Sequence, residues 1–441
     1  IIDSPTPAQK MLYGETRRRV PILWDVDNPV VSGPVQNQDA YMQSVAAQRP
    51  FFFDHIAEIA DQCMAEYAEL TGRRYERVST YKAEDADYLV VGQGSLMGTA
   101  EAVADYLRET RGLKVGVVNV TMFRPFPGDL LGEILKGRKG VVVLERTDQP
   151  LAEDLPLIRE IRAAITKCIE NGQAPGKNGL PFSGYAAYDF SKDLSPLYSG
   201  CFGMGSRDLQ PEGVVGAVEN MLPEGAKKRF FYLSIDFLHK KAFTPKQEIH
   251  QQALQEAYPG IGELSVKGSE NPDLLPKGAI TVRMHSVGGW GAITTGKNLA
   301  MTLYDLLGYD IKANPKYGSE KKGQPTTYYL CAAPEPILIN CEYNYVDVVL
   351  SPDPNVFSHS NPLFGLKKGG VFIIQSDLES PEAVWKIIPP IRQKYIIDND
   401  IKIFYLDAFK VAREEASDVE LQFRMQVNVF QGAFFAASSV M

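Results

Sequence analysis

Short apolar runs, each followed by a helical pattern, constrain the fold more than any other feature of this chain. Tyr88–Val91 is an all-apolar run of the kind that forms buried parallel strands, and Val115–Val120 and Gly140–Leu144 repeat it. Helical patterns follow these runs, at residues 99–110, 129–135 and 157–170. Strands that alternate with helices in this way predict a parallel sheet with right-handed connections.

The last third of the chain repeats this alternation. Strands are predicted at residues 280–284, 329–332, 346–350, 371–375 and 401–406. Helices are predicted at residues 293–307, 381–397 and 419–441. The predicted fold class is therefore α/β, with two parallel-sheet domains after a partial α/β segment at the N-terminus.

The length of 441 residues predicts two or three domains. We divide the chain into a partial α/β segment (1–45), a first α/β domain (46–225), a linker or insertion (226–277) and a second α/β domain (278–441). The first segment contains a short apolar run at 21–26 and then polar, turn-rich residues to 43. A helix is predicted from about 50 to 71.

Composition excludes several classes of protein. The formal net charge of −8 argues against a general nucleic-acid binder. None of the five cysteines forms a CxxC pair, so neither an iron–sulfur nor a zinc site is expected, and scattered thiols indicate a reducing, cytoplasmic setting. No uncharged apolar run approaches 18 residues, so no transmembrane helix is expected. The chain begins at Ile1 without a signal-peptide pattern and ends in an apolar stretch, which we interpret as ends cut from something longer.

A glycine-rich turn between the predicted strand at 280 and the helix at 293 is the first candidate site. Gly288, Gly289 and Gly291 would let backbone N–H groups approach an anion at the start of a helix. The turn lacks the third glycine of GxGxxG and the acidic residue that binds ribose, so an NAD- or flavin-binding site is poorly supported. The alternative is a tight turn in which glycine only relieves steric crowding.

Lysines lie close to this turn in the sequence. Lys297 is on the following helix, and a second loop at 314–327 carries Lys316, Lys321 and Lys322. If both loops lie at the same edge of the sheet, they form a site for a polyphosphate or nucleotide-like ligand. The alternative is a solvated run of charges.

Two other segments follow strands where functional groups often lie. Gly92–Gly98 opens a helix with Ser95 and Thr99 near its start, which predicts either an anion site or ordinary helix capping. Glu145, Arg146 and Asp148 follow the third strand and predict either functional groups or a surface ion pair.

Collinear motifs across nearly the whole chain resemble the pyruvate:ferredoxin oxidoreductases. The segments are similar to the end of that family's pyrimidine-binding domain, its transketolase C-terminal-like domain and its gamma domain, in that order. They are Asp27–Val31, Gln36–Asp39, Tyr41–Gln43, Glu69–Arg73, Asp85–Gly92, Val115–Val118, Phe123–Phe126, Val143–Thr147, Gly288–Lys297 and Glu320–Gly323. Trp290 and the stretch 226–277 depart from the pattern.

The resemblance implies part of a thiamine-diphosphate-dependent 2-oxoacid:ferredoxin oxidoreductase, most simply one that converts pyruvate and coenzyme A to acetyl-CoA. It implies that the gamma-type domain binds coenzyme A, with Gly288, Gly289 and Gly291 at the close approach and Lys297, Lys321 and Lys322 at phosphates. Thiamine diphosphate, Mg²⁺ and [4Fe-4S] clusters are expected on partner chains or domains. The expected partners are those chains, ferredoxin or flavodoxin, and a second copy of the assembly.

Other functions remain open at this point. A member that acts on 2-oxoglutarate would share these motifs. A non-catalytic scaffold subunit of a larger complex would keep the folds without the chemistry, and the chain cannot be catalytically complete alone.

Overall fold

The computed structural model describes residues 35–174, 179–235, 245–287, 292–316, 325–415 and 419–438, together with Thr6, Pro7 and Asp27. The chain divides into two compact units. The first comprises 1–94, 115–145 and 149–199, and the second comprises 95–114, 146–148 and 200–441.

The described residues form helices and strands in alternation. The helices are α1 (Gln38–Phe51), α2 (Ile56–Thr71), α3 (Leu96–Arg111), α4 (Gly128–Ile134), α5 (Pro156–Gln173), α6 (Pro211–Met221), α7 (Pro245–Ala257), α8 (Ala292–Leu307), α9 (Pro381–Ile387), α10 (Pro390–Asp398), α11 (Ala408–Glu415) and α12 (Val419–Ala437). The strands are β1 (Val78–Tyr81), β2 (Tyr88–Gly92), β3 (Val115–Val120), β4 (Gly140–Glu145), β5 (Leu197–Cys201), β6 (Phe230–Leu233), β7 (Ser265–Val266), β8 (Ile280–Val287), β9 (Asp310–Lys316), β10 (Pro325–Ala333), β11 (Val346–Ser351), β12 (Leu366–Gln375) and β13 (Lys402–Leu406).

The first unit is built on the strand order β1-β3-β2-β4-β5. Strand β2 pairs in parallel with β3 and β4, and β1 is antiparallel to β3. All residues of β2 and β4 are buried, which explains why their sequences are continuous apolar runs.

The second unit contains a six-stranded sheet in the order β13-β12-β11-β8-β10-β9. Strands β8, β11, β12 and β13 are parallel, whereas β10 runs antiparallel to both β8 and β9. Two apolar cores cover the two faces of the sheet. Successive residues of β10 point to opposite faces and therefore belong to different cores. Leu330 belongs to the core that includes Phe430 and Phe434 of α12, and Cys331 belongs to the core that includes Val384 and Ile396.

The two-sheet α/β fold predicted from the sequence is confirmed, with differences in detail. The predicted helix at 50–71 was wrong at its start: α1 occupies part of a segment interpreted as turn-rich, and α2 begins at Ile56. The predicted helix at 381–397 is two helices because Pro389 and Pro390 interrupt the backbone hydrogen bonds. The sequence did not predict strands β1, β5, β7 and β9 or helices α7 and α11. The apolar run at 21–26 lies outside the described residues, and the domain limits stay predictions.

No helix in the described parts of the chain is both long and apolar enough to cross a membrane. Four cysteines are buried and Cys63 is exposed, and all five are free thiols. Among the side chains that the structure describes, no group of three or more His, Cys, Asp or Glu is placed to hold a metal ion.

Candidate anion-binding cavity

The ends of both predicted ligand-binding loops lie at one edge of the six-stranded sheet. The last residue of β8, Val287, pairs with Pro325 at the start of β10. On the other side of β10, Lys316 at the end of β9 pairs with Thr327. Strand β10 lies between the end of β8 and the end of β9, so these two ends are about 10 Å apart at normal strand spacing.

Of the six predicted site residues, the structure describes only Lys297. Gly288, Gly289, Gly291, Lys321 and Lys322 lie outside the described residues. Lys297 is exposed on the second turn of α8, and it is not among the residues that line the cavity described next. The roles assigned to these six residues therefore stay predictions.

A cavity of about 810 Å³ lies in the second unit, beside the end of β9. This volume is within the range of sites that bind cofactor-sized ligands. Its lining comes from four parts of the chain: the start of α3, Arg146, the loop at 202–209, and the adjoining parts of β9 and β10 with Asn340. The cavity is thus continuous with the sheet edge from which the two loops depart.

Three cationic side chains line this cavity: Arg146, Arg207 and Lys316. Partial burial lowers the pKa of Lys316, and the positive charges of Arg207 and Arg146 act in the same direction, whereas Asp208 opposes them. Arg146, Arg207 and Asp208 are therefore all close enough to Lys316 to influence its charge, and the four side chains form one charged cluster. Such a cluster favours a multiply charged anion, which relieves the repulsion between the cations.

The acidic groups near these cations already have partners. The Asn314 side-chain amide donates to Asp208 Oδ2 at 3.0 Å. Glu342 forms an ion pair with Lys316, and its Oε2 accepts the Tyr329 hydroxyl at 3.2 Å. Of the lining residues that the structure describes, Asp208 alone is acidic, so this described lining is positive overall.

The side chain of Arg146 packs against the backbone of Gly203, in the loop at 202–209. Gly203 has a φ of 78°, and a Cβ atom there would lie 2.6 Å from Arg146 Cγ. Glycine is therefore required both for the backbone conformation and for the close approach. The Arg146 Nε donates to the Gly203 carbonyl at 3.4 Å, so the guanidinium is held near the cavity.

The first turn of α3 also lines the cavity, through Ser95, Leu96 and Thr99. The hydroxyl of buried Thr99 accepts the Asn340 backbone N–H at 3.2 Å, so Thr99 is an interior anchor. Ser95 is the N-cap residue but its side chain makes no capping hydrogen bond. The N–H groups of this turn and the helix dipole add positive potential at the cavity wall.

Glu145, Arg146 and Asp148, which the sequence analysis treated together, have different roles in the structure. Glu145 is buried in the first unit and accepts the N–H groups of Leu157 and Ile158 at 2.5 and 3.2 Å, which caps α5. Burial raises the pKa of its carboxyl, and the two backbone hydrogen bonds oppose that effect. Asp148 accepts the Tyr232 hydroxyl at 2.9 Å. Only Arg146 lines the cavity.

Sequence reasoning missed Arg207, Asp208 and Asn314 as lining residues. Arg207 and Asp208 lie in a segment rich in glycine and aromatics that showed no periodic pattern, and Asn314 was read as part of a loop although it belongs to β9. The one available signal was the cluster of glycines at Gly203 and Gly205, both of which adopt positive φ.

Comparisons with known proteins agree with this architecture. A family model described as pyruvate ferredoxin/flavodoxin oxidoreductase matches residues 281–441. A second, described as pyruvate:ferredoxin oxidoreductase core domain II, matches residues 86–175. The pyruvate:ferredoxin oxidoreductase of Moorella thermoacetica is 26% identical over 94% of this chain and 31% of its own length.

Two further relatives are subunits. The pyruvate synthase subunit PorA of Thermotoga maritima is 32% identical over 49% of this chain and 49% of its own length. The solved structure of pyruvate oxidoreductase subunit PORC from the same organism is 21% identical over 37% of this chain and 78% of its own, with a TM-score of 0.29.

The chain is an α/β protein, and two oxidoreductase family models match it in collinear order. In these two segments the chain is similar to the pyruvate:ferredoxin/flavodoxin oxidoreductases. It spans about a third of the length of the first curated relatives that it matches.

Proposed function

We propose that this chain supplies the coenzyme A-binding and structural domains of a thiamine-diphosphate-dependent 2-oxoacid:ferredoxin oxidoreductase of the pyruvate type. The assembly would convert pyruvate, coenzyme A and oxidised ferredoxin to acetyl-CoA, CO₂ and reduced ferredoxin. Thiamine diphosphate, Mg²⁺ and [4Fe-4S] clusters would be held by other domains or chains, and the setting would be cytoplasmic.

The observation that carries the proposal is the cationic cavity of about 810 Å³ at the edge where both predicted loops originate. Coenzyme A has a diphosphate and a 3′-phosphate, and Arg146, Arg207 and Lys316 offer positive charge to such groups. Lys321 and Lys322 lie between β9 and β10 in the sequence, so they are candidates for the outer phosphate contacts. The chain's own part would be to bind and orient the thiol carrier.

The test is calorimetric titration of coenzyme A into the full 441-residue chain at low salt. We expect saturable binding, and we expect Lys321→Ala combined with Lys322→Ala to weaken it by roughly fivefold, because exposed charge pairs each contribute little. Lys394→Ala serves as the matched control, since Lys394 is an exposed lysine of α10 that pairs with Asp398. Unchanged affinity in the double variant would remove that lysine pair from the site, and absence of binding to the wild-type chain would refute the proposal.

A further inference from the structure

The strand β8 carries a charged side chain where buried strands are normally apolar. Arg283 is 3% exposed and lies directly opposite Tyr329 on the neighbouring strand β10. Its neighbours along the strand, Val282 and Met284, point to the other face and are fully buried in the apolar core. A guanidinium in such a position is unfavourable unless a counter-charge and hydrogen-bond acceptors compensate for the lost water.

The compensation inside the described structure is incomplete. Arg283 Nη2 donates to the Pro362 carbonyl at 3.0 Å and to the Phe364 carbonyl. Its Nε is buried and has no hydrogen-bond partner among the described residues. Among the residues that the structure describes, no carboxylate forms an ion pair with it. Carbonyl groups offer partial charge only, so one positive charge lacks a counter-ion.

Arg283 lines a second cavity in the same unit, with a volume of about 420 Å³. Four cationic and three acidic side chains line it. Each acid already has a partner: Glu212 pairs with Lys267 at 3.5 Å, Glu342 with Lys316, and Asp208 accepts from Asn314. Among the described lining residues, one positive charge is therefore in excess, and Arg283 is the cation whose side chain is buried without a described carboxylate partner.

We propose that the cavity beside Arg283 is a separate binding site for a small organic monocarboxylate, whose carboxylate accepts a hydrogen bond from the Arg283 guanidinium. A carboxylate in this cavity would supply the missing negative charge in a geometry that arginine favours. A single negative charge balances the lining. A phosphate dianion would add repulsion from Asp208, Glu212 and Glu342.

This site is distinct from the proposed coenzyme A cavity, although the two share the residues 205–208 and Lys316. Arg283 lines only the smaller cavity, and Arg146 lines only the larger one. The inference therefore does not depend on coenzyme A binding, and the two proposals can fail independently.

The test uses ¹³C-labelled acetate as the probe, titrated into the full 441-residue chain and followed by NMR line broadening. We expect saturable binding with a dissociation constant in the millimolar range and weaker binding of inorganic phosphate. Arg283→Gln should weaken acetate binding by roughly tenfold or more, because the charge-assisted hydrogen bond is lost. Lys402→Met, at an exposed position on β13 outside both cavities, should leave it unchanged.

Several outcomes would overturn the inference. These are absence of saturable acetate binding to the wild-type chain, equal binding by Arg283→Gln, or tighter binding of phosphate than of acetate. A matching loss of coenzyme A affinity in Arg283→Gln would instead assign Arg283 to the larger cavity. If Arg283→Gln does not fold, Arg283→Lys keeps the charge but loses the planar fork, and it should bind acetate more weakly than the wild type.

Discussion

Single buried polar side chains on β8 show how environment decides the chemistry of a residue. His285 is 8% exposed, and its Nε2 has no hydrogen-bond partner. Burial lowers the pKa of His285 to about 3, and the positive charges of Arg283 and His359 act in the same direction. The sequence offered no sign of this, because His285 is one scattered histidine among five and its burial depends on the strands beside it.

This pKa predicts a pH dependence of stability. The unfolded chain binds a proton at His285 near pH 6.5, whereas the folded chain does so only near pH 3. As the pH falls from 6.5 towards 3, the free energy of unfolding should fall by up to about 1.4 kcal/mol per pH unit from this group.

The measurement is urea denaturation of the wild-type chain and of His285→Gln at about pH 7 and about pH 5. The variant should lose less stability between the two conditions. His250→Gln, on the exposed side of α7, should behave as the wild type does. Equal acid sensitivity in all three chains would contradict the prediction.

At the scale of the element, close packing between α8 and β10 fixes the helix that follows the glycine-rich turn. A Cβ atom at Gly296 would lie 2.3 Å from two ring carbons of Tyr328, which is buried. The glycine therefore lets the helix lie directly on the ring. The sequence predicted this helix to within one residue at its start, but the reason for a glycine in its interior is visible only in the packing.

We expect Gly296→Ala to destabilise the chain by about 1–3 kcal/mol, because overpacking exceeds the gain in helix propensity. The matched control is Gly432→Ala on α12, where an added Cβ meets nothing within 4 Å. That change should instead stabilise by about 0.5–1 kcal/mol. Thermal unfolding of both variants measures the contrast, and a stabilised Gly296→Ala chain would refute the packing argument.

At the scale of the whole molecule, the cavity proposed to bind coenzyme A is lined by residues from distant positions in the chain. Arg146, Arg207 and Lys316 are separated by some sixty to a hundred residues each, yet they line one cavity. Their joint positive charge, rather than any single contact, is what would attract a polyphosphate ligand.

We therefore predict that reversing one charge of the cavity weakens coenzyme A binding in a salt-dependent way. Arg146→Glu should lower the affinity by roughly tenfold at low ionic strength, and the difference from the wild type should shrink at high salt as screening increases. Lys394→Glu makes the same charge change outside the cavity and should have little effect. Titrations at two salt concentrations test this, and equal losses in the two variants would show a general effect of net charge.

The sequence by itself determined the α/β fold class and most strands of the two sheets, because the spacing of apolar residues and the order of strands and helices are local properties of the chain. It also indicated the edge where the ligand-binding loops begin. It did not determine the split of α9 from α10, the antiparallel direction of β10, or the uncompensated charge of Arg283. Those depend on which strands become neighbours and on what each side chain then faces, and only the tertiary structure decides that.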